Sequence, residues 1–329
     1  MPILCNNLYN SILIEPFLTS DVNTLNIVSG YATSAMAFHH LNFLAENQSK
    51  LKINLTVGMV PKDGMSISNH RGFLELVNND FKNSFFCSYV MCRPQIHSKL
   101  YIWCKDTTPL FAFIGSANYT QTALILSTQK EVMASCDAVS AYDYFLEIQK
   151  DTIYCEHPDT ENEIILVNDY YQRTQQTTAN GTVINDDAGQ SSYQYLPQAS
   201  VSLVERRTRD VHKKAGLNWG QRDGREPNQA YLQLSSDVYE SDFFPMKSIH
   251  FTVLTDDNRS FICTRAQKDH RGHAIETPHN NSLLGEYFRN RLGLANGAPV
   301  KTADLDRYGR RDVVFSKIDD ETYYMDFSV

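Results

Sequence analysis

Residues 172–200, QRTQQTTANGTVINDDAGQSSYQYLPQAS, are rich in Gln, Thr, Asn, Ser and Gly and poor in large aliphatics. A stretch of this composition reads as a linker rather than as part of a core. It divides the 329-residue chain into two parts, each of which must fold around apolar residues of its own. The expected boundaries are a first domain over 1–175, a linker over 176–200 and a second domain over 201–329. A hydrophobic content of 42% suffices for two cores.

The first part alternates strand-like and helix-like segments. LNIVSGYAT (25–33), LKINLTVGM (51–59), SFFCSYVM (84–91), HSKLYIWC (97–104) and LFAFIGSAN (110–118) read as strands. SAMAFHHLNFLAEN (34–47), HRGFLELVNND (70–80) and AVSAYDYFLEIQKD (138–151) have helical spacing. That order predicts an α/β sandwich around one sheet. In the second part AYLQLS, IHFTVLTDD, SFICTRAQ and VVFSKIDDETYYMDF alternate like strands, and TDDNRS is a hairpin-type turn. NNSLLGEYFRNRLGL (280–294) reads as a helix with Gly293 near its end. This half is expected to be a small, mostly β barrel.

Charge is unevenly spread. Residues 1–200 carry 11 Lys and Arg against 19 Asp and Glu, and 201–329 carry 19 of each, so the net −8 belongs to the first part. Within the second, 206–225 holds seven basic residues against Asp210 and Asp223. Screening confines a charge's field to roughly 10 Å, so the local stretch matters more than the total. The seven cysteines are dispersed and odd in number, with no CxxC. This points to reduced thiols in a cytoplasmic protein and away from a zinc site. No apolar run approaches a membrane span, and residues 1–15 lack the basic start of a signal peptide.

The chemistry of the first part starts at IHSKLYIW (96–103). Residues two apart on a strand share a face, so His97 and Lys99 are expected to point one way among Ile96, Leu100 and Ile102. A desolvated pair of this kind calls for an anion. The next strand ends in IGSANYT (114–120), where Gly115, Ser116 and Asn118 let backbone amides approach an anion. STQKEVMAS (127–135) then offers Glu131 in a strand-like stretch. Each residue type fits phosphodiester chemistry. Imidazole is a nucleophile near neutral pH. Lys99 and Asn118 suit nonbridging oxygens and a pentacovalent transition state. Ser116 either binds phosphate or caps a turn. Glu131 is expected to hydrogen-bond the far ring nitrogen of His97 and fix its tautomer. His39 and His40 are expected to be structural; SGYAT (29–33) either lines the site or, as its small residues favour, packs helix against sheet.

In His97, Lys99, Gly115, Ser116 and Asn118, with Glu131 trailing, the sequence resembles the phospholipase D superfamily. Cys104 stands where that superfamily often has an aspartate, and Asp106 is displaced by two. The departure resembles the nuclease branch. The superfamily site uses two such motifs, one histidine attacking while the other protonates the leaving oxygen. This chain has one, because His70 and His157 lack the accompanying residues. A two-fold homodimer with the site on its axis follows.

In the second part HKKAGLNWGQRDGREPNQAY (212–231) mixes cations and amides with Trp219 and three glycines, and DLDRYGRRDVVF (304–315) reads as a second loop. Arg, Asn and Gln are the side chains that contact base edges bidentately. The expected DNA-binding residues are His212, Lys213, Lys214, Trp219, Gln221, Arg222, Arg225 and Asn228, then Arg307, Tyr308, Arg310, Arg311 and Asp312. With GLNWGQR…REPNQAY, FTVLTDD, NNSLLGEYFRNRLG and YGRRDVVFSKID added to the first-part motif, nearly the whole chain resembles the NgoFVII-type restriction endonucleases. The resemblance implies a phospholipase D-like α/β nuclease domain followed by a pseudobarrel similar to the plant B-three DNA-binding domain. Its two arms would be Trp219 to Asn228 and Arg307 to Asp312.

The expectation is a type II-like restriction endonuclease. It cleaves double-stranded DNA at a specific sequence through a phosphohistidine, with no metal or other cofactor. The resemblance also implies a companion DNA methyltransferase and, as in some relatives, a helicase-like ATPase subunit. The alternatives are a DNA-binding regulator with an inactive nuclease fold, and a phospholipase D-type phosphodiesterase acting on another substrate. The first is expected to lack His97 or Lys99, and the second to carry a membrane-seeking helix. An end-processing repair phosphodiesterase would need two motifs in one chain.

Overall fold

The structure is a computed structural model that describes residues 3–47, 50–126, 128–169, 196–267 and 272–329. The chain divides into two compact units, Met1–Ala179 and Asn180–Val329. The expected linker lies outside the described residues as far as 195. Its last residues do not fit that reading, because Gln198–Ser202 is a strand of the second unit.

The first unit holds ten strands, β1 (Ile3–Leu4), β2 (Thr24–Ser29), β3 (Lys52–Val57), β4 (Met65–Ser66), β5 (Phe85–Val90), β6 (Lys99–Lys105), β7 (Thr108–Gly115), β8 (Met133–Cys136), β9 (Thr152–Tyr154) and β10 (Leu166–Val167). Eight form one mixed sheet in the order β1-β8-β7-β6-β2-β3-β5-β9, and β4 pairs with β10 apart from it. At its centre β2 runs parallel to β3 and antiparallel to β6. Both faces of these strands are buried, which explains why they read as continuous apolar runs. The helix Ala138–Gln149 covers one face through Ala141, Phe145 and Ile148, packed on Leu100, Ile102 and Cys104. Tyr101 and Trp103 point to the other face, where the Trp103 indole donates to Ile12 O at 2.8 Å. The helix Ser34–Glu46 starts at Thr33, whose hydroxyl accepts from Met36 N.

The second unit is the expected mostly β barrel. Its strands are β11 (Gln198–Ser202), β12 (Leu232–Gln233), β13 (His250–Thr255), β14 (Ser260–Ala266), β15 (Ala274–Glu276), β16 (Asp312–Lys317) and β17 (Thr322–Asp326), in the order β11-β16-β17-β13-β14-β15-β12. The two end strands, β11 and β12, lie against each other and nearly close the barrel. Phe244, Phe251, Phe315 and Tyr323 fill its centre. The expected TDDNRS hairpin joins β13 to β14, with Asn258 at positive φ. The expected helix is Ser282–Arg291, and Gly293 beyond it has φ +68°.

One buried cation organises this unit. Arg289 is fully buried, and its guanidinium donates to the carbonyls of Ala298, Asn228, Gly285, Leu217 and Pro227. Three of those carbonyls belong to the 216–229 segment, so one side chain ties that loop to the helix. Gly285 makes this possible, because a Cβ there would stand 1.7 Å from Asn228 O. Gly285→Ala is therefore expected to destabilise the second unit by about 2–4 kcal/mol, well beyond the ~1 kcal/mol a helical Ala gains over Gly. Urea unfolding followed by Trp219 fluorescence in a Trp103→Phe background measures it.

Candidate active site

The site forms where the central strands end. β2 closes with Ser29, and the chain passes through Gly30 and Tyr31 beneath His97, Lys99 and Asn118. A Cβ on Gly30 would lie 3.0 Å from His97 Cδ2, 3.2 Å from Lys99 Nζ and 3.4 Å from Asn118 Oδ1. Three polar side chains from residues 97–118 thus meet over a distant residue that has no side chain. The SGYAT stretch lines the site here, the less favoured of its two sequence readings.

His97 lies just before β6, not within it, and is exposed, whereas Lys99 is 5% exposed. The desolvation expected of the pair falls more heavily on the lysine. The ammonium donates to His97 O at 2.6 Å. Two of its N–H bonds remain without a partner among the described residues. Burial lowers the Lys99 pKa, and the Glu131 carboxylate opposes that shift. The His97 pKa is lowered by burial first, then by Lys99 and Lys62, with Asp63 acting the other way. An imidazole held neutral beside a cation can attack phosphorus while the cation holds the phosphate oxygens.

Asn118 is fixed through its oxygen. Its Oδ1 accepts from Ser29 Oγ at 3.3 Å and from Tyr31 N at 3.1 Å. The amino group is therefore the end left to donate to a ligand, an orientation assigned from this network. The loop that carries Asn118 is pinned on three sides. Tyr101 donates to Ala117 O at 2.9 Å, Tyr119 N donates to Ser29 Oγ at 2.9 Å, and Tyr119 OH meets His40 Nδ1 at 2.9 Å. His40 is buried and its pKa falls to about 3, mainly by desolvation, so it stays neutral and structural as expected.

Two expectations for the Gly-Ser pair change. A Cβ on Gly115 would stand 2.1 Å from Val132 O, and Ser116 N donates to that same oxygen at 2.9 Å. The glycine admits a neighbouring strand, and the serine amide is already used. Glu131 precedes β8, and its hydrogen bond comes from Ser116 Oγ rather than from His97. Within one chain, then, Glu131 does not orient the His97 ring.

Several residues at the rim went unread in the sequence. Gly58 N donates to Ser29 O, Met59 N to Gly30 O, and Ile96 N to Gly58 O. These bonds hold the short helix Val60–Asp63 beside the segment that leads into His97. Tyr31 donates to Asp63 Oδ2 at 2.5 Å, and its ring meets the His97 ring edge-on at 6.0 Å and 81°. The one available signal was position, since Gly58 and Gly30 both follow central strands. Among the described residues no group of three or more His, Cys, Asp or Glu could hold a metal ion.

In the second unit the expected DNA-binding residues divide into two sets. Asn228 is buried, bonded to Glu226 and Glu286, and accepts from Gly297 N at 2.6 Å. Gln221 donates to Pro227 O and Gly297 O. Tyr308 stacks on Phe327 and donates to its carbonyl at 2.7 Å. Arg310 pairs with Asp326 at 2.8 Å and with Asp312 at 3.4 Å, and Asp312 also accepts from Ser200. These five are engaged in bonds within the unit. The segment read as a second loop is the helix Thr302–Tyr308, capped by Gly309 at φ +101° and followed by β16.

The other set lies at the surface, exposed except for the half-buried Trp219 and Arg311. Lys213 has no partner among the described residues, and Lys214 faces Asp223 at 3.8 Å. Arg222 uses only Nε, which donates to Lys214 O at 2.7 Å. Arg225 lies 3.8 Å over the Trp219 ring. His212 faces Glu205 at 3.4 Å, Arg307 pairs with Asp304, and Arg311 pairs with Asp306.

Comparison with known proteins accords with this arrangement. No curated protein sequence matches the chain. Among solved structures, NucT from Helicobacter pylori is 12% identical over 46% of this chain and 97% of its own, with a TM-score of 0.33. The phospholipase D family member Nuc from Salmonella typhimurium is 14% identical over 40% and 81%, with a TM-score of 0.30. Polyphosphate kinase from Porphyromonas gingivalis is 13% identical over 49% and 26%, with a TM-score of 0.31. Family models match at both ends: residues 6–162 as the NgoFVII restriction endonuclease N-terminal PLD domain, and 192–319 as the NgoFVII C-terminal B3-like DNA-binding domain. The chain therefore belongs to the NgoFVII family of restriction endonucleases, with a phospholipase D-type nuclease domain and a B3-like DNA-binding domain.

Proposed function

We propose that this DNA-cleaving hydrolase is a homodimer that cuts double-stranded DNA at a specific sequence, without a metal ion, through a phosphohistidine. The observation that carries the proposal is the convergence of His97, Lys99 and Asn118 over Gly30. A ring nitrogen of neutral His97 attacks phosphorus in line with the leaving oxygen. The Lys99 ammonium and the Asn118 amino group donate to the nonbridging oxygens as charge builds on them. His97 of the partner protonates the leaving oxygen as the P–O bond breaks. The partner histidine, now neutral, takes a proton from water, and the resulting hydroxide displaces His97 from phosphorus.

The partner copy is required because one chain supplies one such histidine. An apolar row supports docking beside the site. Ile3, Ala134 and Ile114 sit opposite one another across β1, β8 and β7, and Ile3 and Ile114 are 67% and 46% exposed. Val132, also exposed, adjoins Ser116.

Recognition falls to the second unit. Arg222 and Arg225 are the candidate base readers, Lys213 and Lys214 the candidate phosphate contacts, with Arg307 and Arg311 on the flank. A nuclease of this kind needs a companion methyltransferase to mask its site in host DNA, and a helicase-like ATPase is a further expected partner. No described helix is long and apolar enough to cross a membrane, and a cytoplasmic location fits DNA as the substrate.

Cleavage of plasmid DNA is expected to persist in millimolar EDTA and to vanish in His97→Ala, while gel shifts with specific duplex stay nearly unchanged. EDTA inactivation reversed by Mg²⁺ would sink the histidine mechanism. Mixed dimers of wild type and His97→Ala should cut less than a tenth as fast as wild type, and sedimentation of an active monomer would refute the shared site. In competition binding, Arg222→Ala should weaken specific duplex by about 1–3 kcal/mol more than scrambled duplex. Lys213→Ala should weaken both alike and lower the salt slope by about one.

A further inference from the structure

The expected orienting acid, Glu131, is bonded to Ser116, so within a chain His97 must take its orientation from elsewhere. Of the charged groups that act on His97, Lys99 comes from β6 and Lys62 and Asp63 from the helix Val60–Asp63. Two are cations. Asp63 is the carboxylate, and it is held in place by the Tyr31 hydroxyl. Tyr31 in turn sets its ring edge against the imidazole. The couple is built into the floor of the site, since Met59 N bonds Gly30 O and Tyr31 N bonds Asn118 Oδ1.

We infer that Tyr31 and Asp63 are positioning residues that fix the His97 ring and set its proton affinity. The inference rests on the proposed role of His97. The chemistry explains why such a couple is needed. The same residue serves as neutral nucleophile in one copy and as proton donor in the other. Two cations alone would leave it neutral in both, and the leaving oxygen would lack its proton. Asp63 offsets them by favouring the imidazolium. The Tyr31 hydroxyl, facing that carboxylate, has its own pKa raised, by burial first and then by Asp63, so it remains a hydrogen-bond donor at every working pH.

The sign of the effect follows. Removing the Asp63 charge lowers the His97 pKa. The acid limb of the rate profile, where the nucleophile must lose its proton, moves to lower pH. The alkaline limb, where the partner His97 must keep its proton, moves the same way. Asp63→Asn preserves the hydrogen bond with Tyr31 and removes only the charge. It is expected to shift both limbs of single-turnover cleavage downward by about half a unit or more. Asp63→Glu should restore much of the shift, and Tyr31→Phe should reproduce part of it. Histidine Cε1–H titration of the full chain, with the His97 signal assigned by its loss in His97→Ala, reads the same shift without cleavage. Unmoved limbs together with an unmoved His97 titration in Asp63→Asn would overturn the inference. Full cleavage by His97→Ala would instead overturn the reading of the site itself.

Discussion

The nuclease half depends on a crowding constraint at Gly30. Lys99 opens β6 and His97 lies just before it, Asn118 is on the loop after β7, and all three reach the end of β2 because β6 pairs with both neighbours. The side chains close over a position where even one methyl group would lie within 3.0–3.4 Å of each. A side chain there would push against all three at once, and burial holds Lys99 while Ser29 and Tyr31 hold Asn118. The glycine thus leaves the space over which an imidazole, an ammonium and a side-chain amide meet. The surrounding bonds are second-order to it. Ser29 and Tyr31 hold Asn118 because they flank Gly30, and Gly58 and Met59 hold the rim helix because they bond its two sides.

The DNA-binding half uses arginine in two distinct ways. Arg289 is buried and donates to five carbonyls, and Arg291 and Arg310 are partly buried in ion pairs with Asp256 and Asp326. A guanidinium suits this work, since its planar fork satisfies several carbonyls that would otherwise be buried unpaired. The result is a rigid base for the 216–229 segment. Arg222 and Arg225 stand on that base and face solvent. A loop fixed at its foot loses less conformational entropy when its tips order on a duplex.

How much was legible in the sequence follows from how local each feature is. The His97, Lys99, Asn118 set could be read because each residue's type and its place at a strand end carry the chemistry. The strands around them were legible from their apolar runs. Gly30 was not, because its importance arises from the register of β2 against β6, some seventy residues later in the chain. The partner of Glu131 within the chain was not legible for a similar reason. A glutamate suited an orienting acid, but whether its carboxylate meets Ser116 or His97 is settled by how residues 131–133 dock on Gly115. In the second half, composition could not separate arginines that cage carbonyls from arginines that meet DNA. Asn228, Tyr308 and Arg310 look alike in sequence to base readers, and burial alone tells them apart. The helix Thr302–Tyr308 was taken for a loop because its seven residues carry too little apolar periodicity to show a helix.

The charge distribution bears on how the two halves cooperate. The net −8 lies within residues 1–200, and 201–329 are neutral overall with a basic 206–225 stretch. At physiological ionic strength a charge acts over about 8 Å. Over that range Lys99 and Lys62 act on His97, and on the proposed reading the net negative charge of the first part opposes approach to DNA held by nothing else. Nonspecific affinity, which comes from cations against phosphates, is correspondingly low for the nuclease half. On the proposed reading, residence on DNA comes from the second half, through exposed cations such as Lys213, Arg222 and Arg225. Cutting then follows recognition through occupancy: a site that cannot retain DNA by itself spends time on a phosphodiester only while the second domain holds the duplex.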